Sequence, residues 1–127
     1  MIVATSPPGK INGTAIVVAS SQNNTTAWTP ILELDTAGIL KLAAFEITSN
    51  TGVDAVRITI DGEERMWQLA TGVTQWVVWD SALANDEFID LNNVETVIDL
   101  VFNTIAIDLW STAGVTILYK YIYSQLN

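Results

Sequence analysis

The chain contains no cysteine and no histidine. Zinc sites of the Cys/His kind, haem ligation through His or Cys, cysteine nucleophiles and Ser-His-Asp triads are therefore excluded. Basic residues are scarce: five Lys and Arg stand against fourteen Asp and Glu, for a formal net charge of -9. Nucleic-acid binding needs clustered cations to neutralise phosphates, so no nucleic-acid partner is expected. Charged residues of both signs make up only 15% of the chain, against roughly 25% in an average globular domain. No apolar run reaches the roughly 18 residues a membrane-spanning helix requires, and no membrane partner is expected. The opening MIVATSPPGK lacks a basic n-region, and Ser6, Pro7 and Pro8 break its apolar run, so no signal peptide is expected.

What remains is a length of 127 residues, enough for one domain with a real core, half of it hydrophobic. Val, Ile and Thr account for 41 positions, and such branched side chains suit pleated surfaces. Residues 1–12 read as an extended arm, because Pro7-Pro8-Gly9 cannot sit in a central strand. A single domain is expected over 13–127. Strands are predicted over Thr14–Ala19, Trp28–Asp35 and Gly38–Ser49, with the polar SSQNNTT loop at Ser20–Thr26. Thr36-Ala37-Gly38 reads as a hairpin connection in which Gly38 takes the left-handed conformation. Val56, Ile58 and Ile60 alternate with Arg57, Thr59 and Asp61, and Asp61-Gly62 is a strong two-residue hairpin signal. Arg65–Ala70 returns, Thr71-Gly72 turns, and Val73–Trp79 follows. Residues 80–97 are the least regular, with a short strand around Phe88–Leu91 or one helical turn. Ile98–Phe102 and Thr104–Trp110 read as one bent or bulged strand, and Val115–Tyr123 closes the chain. Eight or nine strands separated by turn signals indicate an all-β antiparallel two-sheet sandwich, jelly-roll-like in arrangement.

Several of these strands are apolar on both faces. In Gly38–Ser49 one face is expected to carry Ile39, Lys41, Ala43, Phe45 and Ile47, and the other Leu40, Leu42, Ala44 and Glu46. Trp76 and Val78 oppose Val77 and Trp79; Ile117, Tyr119, Tyr121 and Tyr123 oppose Leu118, Lys120 and Ile122. A lone sandwich needs one apolar face per strand. Either loops and the N-terminal arm cover the second faces, or another subunit does. The candidate interface anchors are Trp28, Phe45, Trp67, Trp76, Trp79, Trp110, Tyr119, Tyr121 and Tyr123, residue types enriched at protein–protein contacts.

Catalytic and ligand-binding patterns are weak by comparison. Glu33 and Glu46, and the cluster Asp61, Glu63 and Glu64, lack any spacing that marks paired-carboxylate catalysis. No enzyme activity, cofactor or metal is expected. Asn85, Asp86, Glu87 and Asp90 are the nearest approach to a calcium loop, without the EF-hand spacing or its central Gly. Trp28, Trp67, Trp79 and Trp110 are the candidates for a glycan-stacking platform, the alternative to packing.

The segment Phe102–Val115 (FNTIAIDLWSTAGV), followed by Leu118-Tyr119-Lys120-Tyr121, resembles the end of many small virion proteins of tailed bacteriophages. There a strand of the type F-x-x-S-hydrophobic-x-hydrophobic leads through a Gly-containing turn into a Tyr-rich last strand; Thr104 stands here for the usual Ser. Gly38-Ile39-Leu40-Lys41-Leu42 and Val56-Arg57-Ile58-Thr59-Ile60-Asp61-Gly62 are similar to a strand and a hairpin of the same family. The resemblance spans roughly residues 38–123. It implies a β-sandwich structural component of the particle, and within that class a capsid decoration (cement) protein on the capsid surface. It further implies a homo-oligomer, with a trimer favoured, and contact with the major capsid protein or another virion protein. The alternative is a receptor- or carbohydrate-binding module of a tail or fibre. On this reading Met1–Lys10 reaches a neighbouring subunit.

Overall fold

The structure, a computed structural model, describes residues 11–22, 27–47, 54–80, 84–85, 90–94, 97–111 and 115–126. Ten strands lie among these residues: β1 (Ile11–Gln22), β2 (Trp28–Leu34), β3 (Gly38–Glu46), β4 (Ala55–Ile60), β5 (Glu63–Gln68), β6 (Thr74–Trp76), β7 (Ala84–Asn85), β8 (Leu100–Phe102), β9 (Ile105–Trp110) and β10 (Thr116–Leu126). β1 begins at Ile11, inside the stretch expected to be an arm; residues 1–10 lie outside the described residues.

The strands form two antiparallel sheets. In the first the order is β1-β10-β3-β6-β7, and β8 pairs beside β6 along the same edge of β3. In the second it is β2-β9-β4-β5. First strand beside last, last beside third, second beside ninth and ninth beside fourth is the jelly-roll order, with the partner of β3 split into β6 and β8. The expected all-β, two-sheet sandwich is the observed fold.

Inward residues of both sheets make one core. Leu40, Phe45, Ile58, Phe102, Ile107, Leu109 and Ile117 are among its largest fully enclosed side chains, each worth about 1.5–3 kcal/mol of burial. Along β10 the alternation is as the sequence implies: Ile117, Tyr119, Tyr121 and Tyr123 face this core, whereas Leu118 and Ile122 pack on the outer side. β3 departs from its expected faces. Its register against β10 slips between Leu42, opposite Ile122, and Leu40, opposite Tyr123. Lys41 is the extra residue of this bulge. Leu40 therefore joins Ala43, Phe45 and Ile47 inside, while Leu42 and Ala44 face out.

Two connections also differ from expectation. β2 and β3 lie in different sheets, so Thr36-Ala37-Gly38 bridges the sandwich rather than closing a hairpin. Gly38 is a buried strand residue; a Cβ there would stand 2.5 Å from the Phe102 ring and 2.5 Å from the Ser124 carbonyl oxygen. Close approach, not a left-handed turn, is what Gly38 supplies. Likewise β8 and β9 are not one strand. The chain leaves the first sheet after Phe102 and enters the second at Ile105.

The Asp61-Gly62 turn is the expected two-residue hairpin between β4 and β5, with φ of 51° and 84°, the doubly positive pattern of a type I′ turn. The Asp61 carboxylate also accepts from the backbone N–H of Asn103 (2.7 Å) and Thr104 (2.9 Å), and its own N–H donates to the Thr104 carbonyl (3.1 Å). An acid at a hairpin tip thus pins the corner between β8 and β9.

Candidate functional site

The outer face of the second sheet carries the densest group of chemically distinctive side chains. β2 places Trp28 directly opposite Trp110 of β9, and β9 in turn sets Asp108 opposite Arg57 of β4. The two indoles meet edge to face at 5.4 Å. The Arg57 guanidinium lies over the Trp28 ring at 4.3 Å and donates to Asp108 Oδ2 from Nε (3.2 Å) and Nη2 (3.1 Å), with Glu64 3.7 Å away. Arg57 is consequently neutralised within the face, and the cation–π contact contributes about 0.5–1 kcal/mol. Opposite Arg57 on β5 is Met66, 61% exposed. The result is a surface of two tryptophans, a methionine and a self-paired ion pair, with Glu33 and Glu64 toward one end.

A second aromatic pair closes one edge of the sandwich. Trp67 and Trp79 meet edge to face at 6.1 Å. Arg65 lies over Trp79 at 4.8 Å, donates to the Trp79 carbonyl (2.7 Å), and pairs with Glu63 and Asp80. Glu63 above all holds the Arg65 guanidinium in its charged form, raising its pKa.

The outer face of the first sheet is partly covered by its own chain. A single 3₁₀ turn, Leu91–Asn93, lays Leu91 and Val94 over Leu42 and Ala44, with Trp76, Leu118 and Ile122 packed around them. Lys120, itself buried, donates to the carbonyls of Asn92 (3.1 Å) and Val94 (3.2 Å) and ties the turn down. Asp90 caps that turn by accepting from the Asn92 N–H (3.0 Å). Beside it is a pocket of about 330 Å³ lined by Val18, Ala19, Ser20, Glu46, Asp90, Leu91, Asn92 and Leu118.

The nine interface candidates divide accordingly. Phe45, Trp67, Tyr119 and Tyr121 are buried in the sandwich against their own chain. Tyr119, Tyr121 and Tyr123 stack in a row along β10, with centroid spacings of 5.9 and 6.0 Å, and Tyr121 donates to the Ile31 carbonyl of the opposite sheet (3.0 Å). Trp28, Trp76, Trp79, Trp110 and Tyr123 are half-buried. Of these, the fold brings Trp28 and Trp110 together on an outer face. Sequence reasoning passed over Arg57, Asp108 and Met66; the alternation Val56–Ile60 put Arg57 on an outer face, but its neighbours became known only with the strand order.

No set of carboxylates forms a candidate metal site among the described residues. Of the four residues weighed as a calcium loop, Asp90 is a helix-turn cap, Asn85 lies in β7, and Asp86 and Glu87 lie outside the described residues. Comparison with protein-family models, with curated proteins and with solved structures gives no match.

Proposed function

We propose that this jelly roll is a structural virion component of a tailed bacteriophage, a capsid decoration protein that acts through surface contacts rather than chemistry. The observation that carries the reading is the outer face of the second sheet. Trp28, Trp110 and exposed Met66 surround an ion pair, Arg57–Asp108, that asks nothing of a partner. An apolar centre rich in Trp and Met, with charge already compensated and acids toward the rim, is the composition of a subunit interface. Self-association through this face, as a trimer, leaves the remaining surface for the major capsid protein or another virion protein. The C-terminal resemblance supports the same class.

The glycan-binding alternative draws less support from the geometry. Trp67 is buried, and Trp28 and Trp79 each have an arginine of their own chain over one ring face.

The test is the protein content of purified particles. Mass spectrometry of density-banded virions from a lysate that produces this chain is expected to find it in fixed stoichiometry with the major capsid protein. Recovery of the chain only from the soluble fraction overturns the reading.

A further inference from the structure

Among the described residues, β1 is a long edge strand that carries no charge and no proline and is paired on one side only, with β10. It runs twelve residues, INGTAIVVASSQ. Ile16 is 65% and Val18 45% exposed. Edge strands normally carry charges, proline or a covering segment, because their free N–H and C=O groups template further pairing. The bulge at Gly13, with φ of 127°, interrupts only the first residues.

Next to this edge lies the pocket that Val18, Ser20 and Leu118 share with Glu46 and Asp90. Its walls combine Val18, Leu91 and Leu118 with Ser20 and Asn92, and its charged groups are both acids, of which Asp90 also accepts from Asn92 and Asn93. Lys120, the base on the same face, is buried and directed to the carbonyls of Asn92 and Val94. Glu46 accepts one hydrogen bond, from Thr74. An aliphatic stem ending in a cation suits such a lining.

We propose that the free edge of β1 receives an extended segment of a partner protein as an added strand, with a Lys or Arg of that segment seated in the pocket against Glu46 and Asp90. An added strand would run about 4.8 Å from β1, so its outward residue opposite Val18 or Ser20 falls beside the pocket. Main-chain pairing supplies affinity and the pocket supplies selection, as in other strand-addition complexes. A second copy of this chain is a poor occupant. Lys41, Arg57, Arg65 and Lys120, the cations among the described residues, are each engaged within their own chain and none is free to fill the pocket of a neighbour. The inference rests on the reading of the protein as one that works by docking.

The test uses the full chain and a capped peptide of alternating Thr and Val with a central Lys, against the same peptide with a central Glu. The Lys peptide is expected to shift the backbone amides of Gly13–Ser20 and to bind at least about tenfold tighter than the Glu peptide, as a charge-assisted contact implies. Ser20→Lys, which puts a cation into the pocket from an exposed position, is expected to remove that preference, and Glu46→Gln to reduce it. Equal binding of the two peptides, no binding of either, or shifts confined to other strands overturns the proposal. So do β1 shifts that depend on protein concentration without peptide, which would mark self-pairing. Because no particle is involved, this result is independent of whether the chain is found in virions.

Discussion

Gly38 sets the packing of strands within the first sheet, and Tyr121 ties that sheet to the second. At Gly38 the absence of a side chain lets β3 approach Phe102 and the backbone of β10. Because a carbonyl cannot turn aside as a side-chain end can, Gly38→Ala is expected to cost about 1–3 kcal/mol of stability or more, read as a lower urea midpoint. An unchanged midpoint would mean that β10 moves freely. Tyr121 bridges the sheets through its hydroxyl to Ile31. Burial first, and then Tyr119 and Tyr123, push its pKa above 10.0. A phenol whose folded pKa is raised keeps the protein at full stability below pH 10; stability then falls as pH rises through 10 toward the folded value, because the unfolded chain ionises first. Denaturation midpoints taken across this range are expected to decline in the native protein. In Tyr121→Phe the decline is expected to be shallower, from a starting stability about 1 kcal/mol lower.

Two elements depend on side chains that composition marks as surface. The corner between β8 and β9 is held by two hydrogen bonds that the Asp61 carboxylate accepts and one that its N–H donates. Asp61→Ala loses the carboxylate and leaves a Cβ-bearing residue without local support at φ of 51°, and is expected to cost about 2–3 kcal/mol. Asp61→Asn keeps an accepting oxygen and tolerates that backbone, so it should cost clearly less; equal losses would show that the carboxylate charge, not the acceptor, matters. The 3₁₀ turn over the first sheet hangs on Lys120. Lys120→Met leaves the carbonyls of Asn92 and Val94 without their donor, at about 1–3 kcal/mol, and hydrogen exchange of Val94 should rise more than that of β3. These are also the elements that sequence periodicity rendered least well. Alternation identified the faces of β4 and β10, because each strand keeps a strict period of two. It misplaced Leu40, since one inserted residue at Lys41 inverts every face beyond it. Turn chemistry located Asp61-Gly62 but said nothing of what Asp61 reaches across 42 residues of chain. Hairpin logic failed at Gly38 because a turn between sheets and a turn within one use the same residue types.

At the scale of the molecule, the apolar second faces have two different explanations, and both were open from sequence. On the first sheet the chain covers itself with Leu91 and Val94. On the second sheet Trp28, Trp110 and Met66 remain on an outer face, although Phe45, Trp67, Tyr119 and Tyr121 with the same composition lie inside. Composition distinguishes neither group from the other; strand order does. The central claim is that this outer face is a subunit contact, and the mass of the full chain in solution tests it most directly. Light scattering at micromolar concentration is expected to give three chain masses for the native protein and one for Trp110→Glu, with the same far-ultraviolet spectrum. A native protein that stays at one chain mass, or a Trp110→Glu variant that associates as the native protein does, would contradict it.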